Sequence, residues 1–199
     1  MARLSLAPVL WGHWKGLSQR TYDGEALTRV KPDYLTRIVM VGLPLLAGAV
    51  VVWTPAKKGL SVEVVAGLAL AWAALVSAGL IGVFTVLAGW RSRLEERAKV
   101  DEYFKTREAA VVALVDEAVA HNRMGVMDAL MMAVFAAAAA GLPSPWSRWL
   151  LALAAVFATH TAVLFIVIST RLYSAYVQVE GVATVVNGFE GGNTGETPT

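Results

Sequence analysis

The sequence predicts an all-α integral membrane protein, with four transmembrane helices arranged as two hairpins joined by a long cytoplasmic helix. Three observations carry that prediction. Of 199 residues, 57% are hydrophobic and only 16% charged, where a soluble domain carries about 25% charged residues. The mean hydropathy is +0.58. Four apolar stretches approach or exceed the roughly 20 helical residues that cross a hydrocarbon layer of about 30 Å. This composition excludes a disordered or collagen-like chain. The absence of cysteine excludes a disulfide scaffold, thiolate catalysis, Cys-ligated zinc and iron–sulfur clusters together. A net charge of +2 lacks the concentrated basic face that nucleic acid requires, so the expected partner is the lipid bilayer.

Residues 1–37 form an N-terminal segment. It does not read as a secretory signal peptide, because Leu4 to Leu10 is interrupted by Pro8 and followed by Trp11, His13 and Lys15 instead of a small-residue cleavage site. On a helix starting near Pro8, Leu10, Trp14 and Leu17 share a face, as expected of an interfacial helix at the headgroups. The other reading is a helix packed on the cytoplasmic part of the same chain. Tyr22-Asp23-Gly24 and Lys31-Pro32-Asp33 read as turns.

Residues 38–90 form the first transmembrane hairpin, with spans Ile38 to Trp53 and Val62 to Trp90 joined by the turn sequence Thr54 to Gly59. Pro44 kinks the first span and frees a carbonyl that its neighbours must satisfy. Residues 91–124 are a charged cytoplasmic helix. Arg91 to His121 contains neither Pro nor Gly, so the second span is expected to continue without a stop to about His121, with Asn122, Arg123 and Gly125 breaking it before the third span. Residues 125–169 form the second hairpin, spans Val126 to Leu142 and Trp149 to Ile168, turning at Pro143-Ser144-Pro145. Residues 170–199 are a cytoplasmic tail, anchored at the interface by Tyr173 and Tyr176 and flexible from about 187, where Gly and Thr dominate.

Basic residues crowd the N-terminal segment and the stretch from Arg91 to Arg123, whereas the opposite side holds only Lys57, Lys58 and Arg148. Basic loops resist translocation, so both termini face the cytoplasm of a cell-membrane, multi-pass protein.

On the charged helix, Glu95 and Lys99, Arg97 and Asp101, and Asp101 and Lys105 stand four apart. Such pairs contribute only about 0.2–0.5 kcal/mol each and mark a solvated face. The other face repeats Val100, Phe104, Val111, Leu114 and Ala118 at spacings of three and four, interrupted by Arg107. This seam packs either on the N-terminal segment of the same chain or on a second copy, which would make a homo-oligomer. In the second span Gly67, Ala71, Ala74, Ala78 and Gly82 form a small-residue stripe. Small residues permit the close backbone approach that drives helix association in lipid, and in an oligomer the stripe would line a pore.

The candidate intramembrane polar site comprises His160 with Thr159 and Thr161, and Asp128. His160 is a candidate proton relay or pH sensor, against the plainer reading of a histidine bonded to a neighbouring helix. Asp128, one turn into the third span, is expected to cap that helix or to pair with Arg123 or Arg91. Ser77 and Thr85 need only bond back to their own helix. Met124, Met127, Met131 and Met132 cluster at the third span but make a poor metal site, since thioethers alone suit only soft copper. His13, His121 and His160 lie in three different regions, so no three-histidine metal centre is expected. No phosphate-binding loop, nucleophile elbow, HExxH or paired membrane carboxylates occur. The chain therefore reads as non-enzymatic and without a cofactor.

Three functions follow as expectations. The first is an oligomeric channel, pore or membrane-perturbing effector controlled from the cytoplasm. The second is a membrane anchor or scaffold for a soluble cytoplasmic partner. The third is a small proton-linked transporter using His160. The layout, a hairpin whose second helix continues into a charged cytoplasmic helix, resembles that of some small bacterial membrane effectors, including nucleotide-triggered ones in phage defence. The resemblance is one of layout and not of motif; a small-molecule trigger and a role in phage defence are what membership of such effectors would imply.

Overall fold

The computed structural model describes residues 7–23, 26–54, 61–100 and 109–180. The chain order is α1 (Ala7–Gly16), β1 (Ser18–Asp23), β2 (Ala26–Pro32), α2 (Tyr34–Trp53), α3 (Val62–Val100), α4 (Ala109–Gly141) and α5 (Trp146–Glu180). Helices α2 to α5 are each long and apolar enough to cross a membrane. Their outward sides expose Leu35, Ile38, Leu46, Leu68, Leu75 and Ile81, an apolar surface suited to lipid and not to water. The helical class and the four apolar spans stand as the sequence indicates.

The N-terminal segment adds the one strand pairing among the described residues. Strands β1 and β2 are antiparallel, from Ser18 opposite Pro32 to Asp23 opposite Ala26, with an irregularity at Thr21/Tyr22. Lys31 and Pro32, expected in a turn, therefore lie in β2. The β-branched Thr28 and Val30 favour a strand, a preference that two flanking turn signals had obscured. Asp33 then caps α2: its carboxylate accepts from the Thr36 amide at 3.2 Å and the Thr36 hydroxyl at 2.8 Å.

Two expectations about helix pairing are corrected. The second span does not run on to His121. Leu87, Trp90 and Leu94 of α3 pack on Val111, Val115 and Ala118 of α4, and the Arg91 guanidinium donates to the Asp116 carboxylate. These are therefore two separate antiparallel helices, one ending at Val100 and the other beginning at Ala109. Burying three large side chains against that face outweighs the absence of a Pro or Gly stop signal. Nor does α4 break at Asn122 to Gly125: it is helical throughout from Ala109 to Gly141. At Gly125 a Cβ would meet Leu80 Cδ1 at 3.0 Å, so the glycine seats α3 on α4.

The second correction concerns the first hairpin. Helix α4 packs between α3 and α5, and α2 lies along α5 and not along its sequence neighbour α3. Gly48 is the reason, since a Cβ there would stand 2.6 Å from Val156 Cγ2 and 3.3 Å from the Ala152 carbonyl oxygen. At the same end Arg148 donates to the carbonyls of Val51, at 3.2 Å, and Thr54. It thereby satisfies acceptors that the last turn of α2 leaves open. The second hairpin, α4 with α5, packs directly.

Phe104, Arg107, Asp101 and Lys105, the Pro55 to Gly59 turn, Gly24 and the tail from 187 lie outside the described residues.

Candidate functional site

The candidate site is a buried polar cluster where α1 meets α4 and α5. Asp128 of α4 and His160 of α5 face each other, with Oδ2 2.6 Å from Nδ1, and Asp128 is 1% exposed. A contact this short holds a proton between the two atoms. Each residue lies about 13 positions, roughly 20 Å, from the short connection between α4 and α5, so the pair sits well inside the apolar helices.

Two turns back along α4, His121 is fully buried. Its Nδ1 lies 2.9 Å from Nδ1 of His13, carried in by α1, and His13 is 6% exposed. The His13 ring centre is 4.9 Å from that of His121 and 5.7 Å from that of His160, edge-on in both cases. Burial, and then the neighbouring imidazoles of His121 and His160, push the His13 pKa from 6.5 down to about 3. Among the described residues, Oδ1 of Asn122 and Oδ1 of Asp128 are buried acceptors without a donor. Glu117, also buried, lies 3.6 Å from Arg171 of α5.

The cluster overturns the expectation that the three histidines stay apart. It also corrects the role of Asp128, which stands deep within α4 and so caps nothing, and which pairs with His160 and not with Arg123 or Arg91. Of the other polar-site residues, the buried Thr161 hydroxyl donates to the Phe157 carbonyl at 2.7 Å. Thr159 is half-buried on the same helix, and Thr85 bonds back to Ile81 at 3.0 Å. Among the described residues no group of three or more His, Asp or Glu side chains has the geometry to hold a metal ion. The arrangement suits protons, since imidazole and carboxyl both donate and accept.

The seam divides. Val100 is 92% exposed at the end of α3, whereas Val111, Leu114 and Ala118 pack from α4 onto α3 of the same chain. Within the chain, the α4 part of the seam therefore packs on α3. The stripe Gly67, Ala71, Ala74, Ala78 and Gly82 is exposed throughout, and nothing stands within 4 Å of a Cβ placed at Gly67 or Gly82. It plays no part in packing within the chain.

One signal of the cluster was present in the sequence: Asp128 and His160 are nearly equidistant from the turn at Pro143, which places them level in an antiparallel pair. The contribution of α1 had no such signal. Compared with known proteins, the chain matches no family model, no curated protein and no solved structure.

Proposed function

We propose that the chain is a non-enzymatic, multi-pass membrane protein, a channel or membrane effector, whose activity is switched by protons at the His13, His121, Asp128 and His160 cluster. The observation that carries this reading is the 2.6 Å Asp128–His160 contact inside the apolar helices, joined toward the α1 side by two further imidazoles. An intramembrane ionisable pair is costly and points to function before structure. The polar chain extends to one side only. Past it toward the α4–α5 connection stand the buried Met132 and Ala136 and the stacked rings of Phe135 and Phe157, an apolar seal across that half of the bundle. A group that takes protons from one side and does not pass them on acts as a switch, which favours gating over proton-linked transport.

Because the polar cluster ends at this apolar packing, conduction belongs to an assembly of copies. The outward stripe on α3 is the surface that supports such an assembly. The cytoplasm is the expected source of the controlling proton, since basic residues concentrate on the α1 side.

Ion flux from liposomes containing the purified protein tests the reading. Flux should rise on acidification from about pH 7.5 to about pH 5, the range in which imidazoles ordinarily titrate. Asp128→Asn should flatten that response. A response unchanged in Asp128→Asn contradicts the switch, and silence at every pH contradicts the channel.

A further inference from the structure

Helix α1 covers the cluster on its open side. Its inward residue His13 and Leu17, the residue just past its end, are both buried, while Leu10, Trp11 and Trp14 stand exposed on the other side. The docking contact is imidazole to imidazole, and two Nδ1 atoms 2.9 Å apart hold one proton between them. A further proton can enter at an outer nitrogen and leave that contact intact. Yet another, on the accepting Nδ1, puts hydrogen on both facing atoms and breaks it.

The groups around His13 do not offset the added charge. On α4, Glu117, one turn before His121, is engaged with Arg171 of α5, and Asp128 is engaged with His160. On α5 the third imidazole, His160, faces His13. On α2 Arg37 donates to the Trp14 carbonyl at 3.3 Å and lies over the Trp14 ring at 4.7 Å. On α1 itself Lys15 sits over Trp11 at 5.9 Å. Burial and these neighbours hold His13 at about 3, below its ordinary 6.5. A proton therefore binds the released helix more tightly than the docked one. Docking is at full strength above about pH 6.5 and weakens as pH falls toward 3.

We propose that α1 is an acid-released latch: His13 on His121 holds the helix over the Asp128–His160 pair, and charging both facing imidazoles frees it to lie on the bilayer through Leu10, Trp11 and Trp14. The latch rests on the proton-switch reading and supplies its moving part.

The chain has no cysteine, so two introduced thiols report α1 alone. Spin labels at the exposed positions Lys15→Cys and Arg123→Cys, in liposomes, should give a short, narrow distance distribution near pH 7.5. Near pH 5 the distribution should become longer and broader, reversibly. His13→Gln, which takes no proton, should stay short at both values. A native distribution unchanged down to about pH 4, or a His13→Gln variant that opens as the native residue does, overturns the latch.

Should His13→Gln fail to dock, a tether replaces it. A Cβ at Gly12 would stand 3.6 Å from the Ala120 Cβ, within reach of a disulfide. Gly12→Cys with Ala120→Cys, oxidised at neutral pH, should keep flux shut in acid until reduced; flux that opens through the intact cross-link overturns the latch. Acid movement of α1 with no flux at any pH retains the latch and removes the channel. Acid-gated flux with an immobile α1 does the reverse.

Discussion

At the scale of single residues, one proton shared at 2.6 Å between Asp128 and His160 matters more than any of the surface ion pairs. Arg91 with Glu95, at 3.3 Å and exposed on both sides, is the kind of pair that contributes at most about 1 kcal/mol. The glycines give the sharpest residue-level test of the packing. Gly48→Ala drives a Cβ to 2.6 Å from the branched, stiff Val156, whereas Gly125→Ala meets only the tip of Leu80 at 3.0 Å. Thermal unfolding in detergent should show Gly48→Ala destabilised by about 1–3 kcal/mol, Gly125→Ala by less, and Val156→Ala restoring part of the Gly48→Ala loss. Equal effects of the two glycine variants would place α2 elsewhere than on α5.

At the scale of elements, the structure turns on two decisions that hydropathy does not encode. Helix α3 ends and α4 begins within the charged stretch, because Leu87, Trp90 and Leu94 find Val111, Val115 and Ala118. The seam spacing was legible, but a seam read from one strand of sequence does not say which helix faces it. The second decision is the docking of α1. Leu10, Trp14 and Leu17 read as one interfacial face, but only Leu10 and Trp14 point outward: Leu17 is buried, packed with Met40 and Leu80, and the other inward residue, His13, is polar and gave no hydrophobic signal. A packed α3–α4 extension predicts that Leu87→Ala costs about 2–5 kcal/mol of stability through the cavity it leaves, readable in the same unfolding assay. A cost below about 1 kcal/mol would mean that the two helices do not form this core. Arg37→Ala, which removes the tie to Trp14, should raise hydrogen exchange in α1 selectively, leaving α4 and α5 protected.

At the scale of the whole molecule, the proposed association within a bilayer rests on four apolar helices and a small-residue stripe that faces outward. The span count was readable because length and apolarity are local properties. The order in which the helices pack was not, since it depends on Gly48 and Gly125 meeting particular partners across the bundle. Ala78→Leu or Gly82→Leu should leave the monomer fold intact, there being open space beside both positions, yet reduce the oligomeric mass in mild detergent. Unchanged mass and activity in both variants would mean that the stripe plays no part in association. Everything else depends on the assembly of three distant histidines around Asp128, and imidazole nitrogen NMR of the purified protein tests that most directly, since the sequence contains only 3 histidines. The His13 signal should titrate well below the ordinary imidazole value and shift on His121→Ala, and the His160 signal should shift on Asp128→Asn. Three imidazoles titrating independently near 6.5, each indifferent to the loss of its neighbour, would contradict the cluster and the switch built on it.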